Sequence, residues 1–218
     1  PEKQKLLEHF LRLLVEQQVL IKTGKENEYA LVENAADDYA REHISGCWQK
    51  LLEQHPGWRC ELSMLEKYGS HLAQRLNGQI EPTALYFASN SQTYDQFFKD
   101  SPTFRLGNKA VQLAIKAILK NLPQGHIIRV LETGAGTGAL TSTILPVLPA
   151  NRTRYCYTDV SEEILSRARS RFAAKDFIEY RIFNLQKKPE EQELPLNAFD
   201  LVISSMVFDN ISDVHMAI

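Results

Sequence analysis

Cysteine is scarce: Cys47, Cys60 and Cys156 are the only three among 218 residues, and no two form a CxxC pair. A disulfide framework and a cysteine-rich zinc module are therefore excluded, and a reducing compartment, the cytoplasm, is expected. No stretch approaches 18 consecutive apolar residues, and the first residues carry no basic segment followed by an apolar one. Neither a helical membrane span nor a secretory leader is expected within these residues. An excess of one charge is missing too. Lys plus Arg total 25 against 27 Asp plus Glu, a net charge of -2, so no basic surface favours a phosphate backbone, and nucleic acid is set aside as a partner. With 10 glycines, 9 prolines and 44% apolar residues, the composition is that of a globular protein able to bury a core.

Several catalytic signatures are also absent. HExxH, GxSxG and GxxxxGK do not occur, and the six histidines, His9, His43, His55, His71, His126 and His215, show no ligand-like pairing. Metal-assisted hydrolysis, a nucleophilic serine and a nucleoside triphosphate loop thus have no support, and no metal is expected.

Two grammars divide the chain. From Lys5 to Leu20, Leu6, Leu7, Phe10, Leu13 and Leu14 recur at helical spacing, and Val19 to Ile21 and Tyr29 to Val32 read as strands around a turn at Gly24. A helix feeding a hairpin has the form of a winged-helix unit, but the tip carries Lys22, Lys25, Glu26 and Glu28, a mixed charge that does not suit nucleic acid. Helical patterns run from Ala35 to Gln54, break at His55 to Gly57, and resume through Leu62, Leu65, Leu72 and Leu76. Tyr86 to Phe104 is aromatic and polar at once. It suits a lid or pocket wall, and a plain core role for Tyr94, Phe97 and Phe98 fits equally well.

A helix is expected from Asn108 to Leu122, and after Pro123 short strands alternate with helices. The strands expected are Ile127–Leu131, Thr153–Tyr157, Ile178–Phe183 and Phe199–Ser204, with helices over Ala139–Leu148 and Glu162–Ala174. Such alternation predicts a parallel sheet covered by helices, in strand order 3-2-1-4 so that the first strand is central. The domains are placed at 1–102 and 103–218.

The sharpest signal is RVLETGAGTGAL, Arg129 to Leu140. Gly134, Gly136 and Gly138, with Ala135 and Thr137 between them, follow a strand directly and open a helix, the context of a ligand loop in which backbone approaches ligand. Glu132, two residues before the loop, suits a cationic amine and would repel a pyrophosphate. GAGTG is not the GxGxxG of dinucleotide sites. A ligand with an amino-acid end and a nucleoside end, S-adenosylmethionine, fits best. Asp159 closes the second strand, where a carboxylate can accept from a ribose diol, although with Ser161 and Glu162 it also suits a helix cap. Asn184 ends the third strand and can pair with an adenine edge or merely form a turn. Ser205, Asp209 and Asn210 follow the fourth strand at the same sheet edge.

LETGAGTGALTSTILPVL, YCYTDVS, FNLQKKPEEQ and FDLVISSMVFDN, taken in order, resemble the motifs of class I S-adenosylmethionine-dependent methyltransferases, and specifically of C-methyltransferase domains embedded in polyketide synthases. The resemblance covers Arg129 to Asn210 and extends more weakly to LYFASNSQTYDQFFKDSPTFRLGN upstream. It implies an α/β Rossmann-like core, cut to about four strands of a sheet that is normally larger, preceded by a mainly helical, winged-helix-like lid. It also implies methyl transfer to the alpha carbon of a beta-ketoacyl chain on an acyl carrier protein, among neighbouring synthase domains. By motif match, Glu132 and Gly134 to Gly138 hold the methionine end, Asp159 the ribose, and Asn184 with Leu185 the adenine, with Ser205 alongside. The family places a histidine base where this chain has Asp209, and an aspartate where it has Asn184. The 218-residue chain alone is expected not to methylate. A non-catalytic scaffold or carrier-binding domain, and a freestanding O- or N-methyltransferase, remain open alternatives.

Overall fold

The computed structural model describes residues 2–25, 27–33, 35, 41–80 and 92–211. Residues 36–40 of the expected second helix, residues 86–91 of the aromatic segment, and His215 lie outside them. The chain divides into two compact units, Pro1–Thr93 and Tyr94–Ile218.

In the first unit, helix α1 (Glu2–Glu16) leads into an antiparallel hairpin of β1 (Leu20–Lys22) and β2 (Tyr29–Leu31), with Ile21 opposite Ala30. The helix stops earlier than its apolar spacing suggests, because Gln18 takes a left-handed φ of 58°, which ends helical bonding. Helices α2 (Arg41–Gln54), α3 (Arg59–Ser70) and α4 (Leu72–Leu76) follow, with a single turn at Pro56–Trp58 where the sequence broke.

The second unit begins within helix α5 (Gln92–Asp100). Its Phe97 and Phe98 rings meet Phe104 with centroids 5.1 and 4.7 Å apart, and Tyr94 stacks edge-on against Phe98 at 4.8 Å. The described aromatic residues of this segment thus pack on one another within the second unit. Ser101 then caps α6 (Pro102–Asn121), accepting from the Phe104 N–H, with Pro102 in the first turn where its missing N–H costs nothing.

Four parallel strands follow: β3 (Ile128–Thr133), β4 (Thr153–Asp159), β5 (Ile178–Ile182) and β6 (Leu201–Ser204), in the order β5-β4-β3-β6. This is the expected order, with the glycine-loop strand inside. Helix α7 (Ala139–Ile144) is shorter than its apolar run, because Pro146 cannot continue the bonding and a 3-10 turn, Leu145–Val147, takes over. Helix α8 (Glu162–Arg171) is capped by Ser161 and has Glu162 and Glu163 in its first turn and Arg169 and Arg171 in its last, matching its dipole.

Alternation along the strands sorts side chains to two faces. Ile128, Val130, Tyr155, Tyr157, Ile178 and Ile203 pack with Ile115 of α6, Leu140 and Ile144 of α7, and Leu165 and Ala168 of α8. Each fully buried aliphatic residue here contributes about 1.5–3 kcal/mol. On the other face Leu131, Cys156 and Phe183 are covered by Leu194, with Leu185 and Phe199 beside them. Toward β6 that face opens, and Val202 is 61% exposed.

Candidate functional site

Because the strands run parallel, the residues that follow each of them gather at one edge of the sheet. The glycine loop follows β3, Asp159 ends β4, Asn184 and Leu185 follow β5, and Ser205 and Asp209 follow β6. The loop is the best-defined part. Gly134, Gly136 and Gly138 have φ of +57°, +57° and +71°, a region where a side chain costs about 1–2 kcal/mol. Space differs among them. A Cβ at Gly134 would lie 2.5 Å from Cγ2 of Val207, and one at Gly138 would lie 2.8 Å from Cε2 of Phe172. One at Gly136 would meet only the Gly134 carbonyl, at 3.8 Å. The outer two glycines are therefore demanded by packing, whereas the middle one leaves room for a ligand to lie on the backbone.

Strand β4 and α8 hold the loop in place. The Ala135 N–H donates to the Thr158 carbonyl at 2.9 Å, and Thr158 Oγ1 donates to the Glu132 carbonyl at 2.8 Å. The Gly136 N–H donates to Asp159 Oδ2 at 3.0 Å, and the Tyr157 hydroxyl donates to the Gly136 carbonyl at 2.8 Å. Arg171 donates to the Thr137 carbonyl at 2.6 Å. Asp159 also accepts from the Ser161 N–H through Oδ1 at 3.0 Å, so one buried carboxylate holds both the loop and the residue that caps α8.

Glu132 lies beneath α7, only 1% exposed. Its Oε2 accepts from Thr141 Oγ1 and from the Tyr155 hydroxyl, each at 2.5 Å. Burial pushes its carboxyl up to about 7 against the pull of these two donors, and burial together with the Glu132 charge pushes the Tyr155 phenol well above its usual range. Burial, chiefly, also raises the Tyr157 phenol.

Asn184 sits in a turn. Its Oδ1 accepts from the Gln186 N–H at 2.9 Å, while Gln192 accepts from its N–H at 2.7 Å and donates to its carbonyl at 2.9 Å. Leu185 is half-buried against the Leu131 and Cys156 cluster. Ser205 is half-buried, Met206 takes a left-handed φ of 57°, and Val207 turns onto Gly134. Asp209 is exposed. Among the described residues no hydrogen bond joins Asn184 or Asp209 to the loop.

Tyr155, Tyr157, Thr141, Arg171, Gln192 and Val207 were not singled out from the sequence. A signal for two of them was present: Tyr155, Tyr157 and Asp159 alternate along YCYTD, so all three share one face of β4. A separate pocket of about 300 Å³, lined by Arg129, Arg154, Cys156, Ile178, Leu194 and Phe199 among others, opens near the amino-terminal ends of the strands, away from the loop. Among the described residues no helix is long and apolar enough to cross a membrane, and no three His, Cys, Asp or Glu side chains could together hold a metal.

The family model described as a methyltransferase domain matches residues 131–218. The non-reducing polyketide synthase mapC of Penicillium roqueforti is 32% identical over 164 residues, 72% of this chain and 6% of that protein. A non-reducing polyketide synthase of Macrophomina phaseolina, dpmpA, is 28% identical over 217 residues, 95% of this chain and 10% of that protein. Among solved structures, the CurJ carbon methyltransferase matches all of this chain with a TM-score of 0.81 and 30% identity, over 56% of its own length. The CMeT domain of the citrinin polyketide synthase matches all of it with a TM-score of 0.82 and 22% identity, over 57% of its length. The chain thus spans a small part of these synthases and a little over half of the solved domains. Its parallel sheet and helical first unit have the class I methyltransferase fold, and the chain is related to the carbon-methyltransferase domains of polyketide synthases.

Proposed function

We propose that this chain carries the cofactor half of a carbon methyltransferase acting in polyketide synthesis, with S-adenosylmethionine held at the carboxyl ends of β3 and β4. The observation that carries the reading is Gly136: left-handed, open above, and bonded from below through both its N–H and its carbonyl. This is a cradle that any side chain would fill. When bound, S-adenosylmethionine supplies an electrophilic methyl group on a sulfonium.

The chain's own residues bind and orient. Residues Gly134 to Gly138 offer backbone to the methionine end, and Asp159, whose two oxygens keep lone pairs beyond the bonds to Gly136 and Ser161, accepts from the ribose hydroxyls. Asn184 keeps an amide NH2 for the adenine edge while its oxygen holds the turn, and Leu185 and Ser205 lie on the same sheet edge. Glu132 serves from below, joining β3, β4 and α7 under the loop. The substrate in this reading is a beta-ketoacyl chain on an acyl carrier protein, whose alpha carbon lies between two carbonyls, and the partners are that carrier and neighbouring synthase domains, in the cytoplasm. Asp209 is the candidate to take the alpha proton.

A second reading, a non-catalytic domain retained as a scaffold or carrier-binding module, is favoured by the same Asp209. It is exposed and has no hydrogen-bond partner among the described residues, whereas a general base is held in place by its surroundings. The test is calorimetry with S-adenosylhomocysteine on the wild type and Gly136→Val, followed by methyl transfer to a carrier-bound beta-ketoacyl chain, read by intact mass. The transfer is measured in the chain extended to its relatives' domain boundary, with Asp209 intact, as Asp209→Ala and as Asp209→His. Transfer that Asp209→Ala abolishes supports the enzyme, and transfer gained only by Asp209→His supports the scaffold.

A further inference from the structure

Gly136 is held on both sides by residues of one strand. Asp159 accepts from its N–H, and two residues earlier on the same face of β4 the Tyr157 hydroxyl donates to its carbonyl at 2.8 Å. Tyr157 has no accessible surface and little freedom to move. Its ring packs against Phe172 and Tyr180 with centroids 6.2 and 5.6 Å away, and Phe172 in turn closes on Gly138. The hydroxyl therefore sits at a fixed height under the loop.

A trans peptide points its carbonyl and the following N–H in opposite directions. The carbonyl of Gly136 is drawn inward to Tyr157, so the N–H of Thr137, which shares that peptide plane, is turned outward. It finds no acceptor among the described residues, while the next carbonyl along, that of Thr137, is held by Arg171. We infer that Tyr157 is a positioning residue for the cofactor loop, fixing the Gly136–Thr137 peptide so that the Thr137 N–H faces an acceptor on the ligand. This rests on the cofactor reading above and assigns to β4 a part that the glycines alone do not play. Without the hydroxyl, the half-buried Gly136 carbonyl loses its donor, and the peptide can rotate to seek another.

The experiment compares the 218-residue wild type with Tyr157→Phe, which removes one oxygen and keeps the ring. Tyr180→Phe is the control, since its hydroxyl lies in the same aromatic group but reaches only the Ala168 carbonyl, at 3.4 Å. Calorimetry with S-adenosylhomocysteine is paired with amide hydrogen exchange and the Thr137 amide resonance in ligand-free protein. The expected result is affinity weakened about tenfold in Tyr157→Phe, with a shifted Thr137 resonance, faster exchange at Gly136 and Gly138, unchanged exchange in β3 and β4, and a control like the wild type. Wild-type affinity with an unshifted Thr137 resonance overturns the inference. So does exchange raised throughout β3 and β4, which marks general loosening. If the wild type binds no S-adenosylhomocysteine while Tyr157→Phe still shifts Thr137 alone, the positioning of the loop stands and the cofactor reading falls.

Discussion

The carboxylate of Asp159, at the end of β4, lies 3.0 Å from the amide nitrogen of Gly136, in the loop that follows the neighbouring strand β3. Its other oxygen accepts from Ser161 at the head of α8, so one side chain joins loop, strand and helix. Hydrogen bonds to a charged group contribute about 1.5–3 kcal/mol each. Asp159→Ala is expected to destabilise the second unit by about 2–4 kcal/mol and to weaken S-adenosylhomocysteine more than tenfold. Asp159→Asn keeps one acceptor oxygen and is expected to fall between. Thermal melts with and without ligand check both, and an alanine variant that binds like the wild type removes Asp159 from the ribose.

The three glycines of the loop are expected to fail in different ways. Alanine at Gly134 or Gly138 drives a methyl group to 2.5 Å from Val207 or 2.8 Å from Phe172, adding about 1–3 kcal/mol of overpacking to the left-handed cost. Alanine at Gly136 meets no close neighbour and costs the fold only about 1–2 kcal/mol. Its damage is expected in binding, where the methyl occupies the ligand's face. Urea unfolding beside ligand titration separates the two, and equal stability losses at all three positions would contradict the open space over Gly136.

The strand order was legible because each parallel strand is a short apolar run and GAGTG marks the inner one: three glycines in five residues are explained by three left-handed φ angles. Asp159 could be read as ribose ligand or helix cap; in the structure Ser161 is the cap of α8, and Asp159 accepts from the N–H groups of Gly136 and Ser161. The YCYTD alternation put Tyr155, Tyr157 and Asp159 on one face, but the bonds by which the tyrosines act were not legible, since Tyr157 and Gly136 are 21 residues apart, and Glu132 and Tyr155 are 23 apart. Those pairs exist only once β3 and β4 lie side by side, and no local pattern encodes a hydroxyl under a carbonyl. Element ends were lost to single residues, Pro146 in α7 and left-handed Gln18 after α1.

Cysteine reactivity is expected to follow burial. Cys156 is packed under Leu194 on the second sheet face, and burial with the nearby Glu179 charge pushes its thiol up to about 11. Cys47 is exposed. At pH 8 a thiol reagent is expected to modify Cys47 at once and to leave Cys156 untouched until urea opens the second unit. Mass spectrometry of the labelled peptides gives the order, and early labelling of Cys156 would show that this face opens in the native chain.

Glu132 is expected to make stability depend on pH in the sense opposite to that of a salt-bridged carboxylate. Unfolded, its carboxyl has the ordinary value of 4.5; folded, burial raises it to about 7. The folded state therefore binds this proton more tightly, so the contribution is fully present below pH 4.5 and is lost as pH rises toward and through 7. At about 1.4 kcal/mol per pH unit the loss is on the order of 3 kcal/mol. Glu132→Gln keeps an oxygen to accept from Thr141 and Tyr155 but has no proton to lose. Its amide NH2 needs a partner under α7, so it is expected to be the less stable protein at pH 4.5. Relative to the wild type it is then expected to gain stability from pH 4.5 to about 7 and to level off above that. Urea unfolding of both proteins at pH 4.5, 6 and 8, followed through the amide signals of β3 and β4, gives the difference directly, because every other titrating group is common to the two. A difference that stays flat across this range would mean that Glu132 is already charged in the fold at pH 4.5, with Thr141 and Tyr155 outweighing its burial.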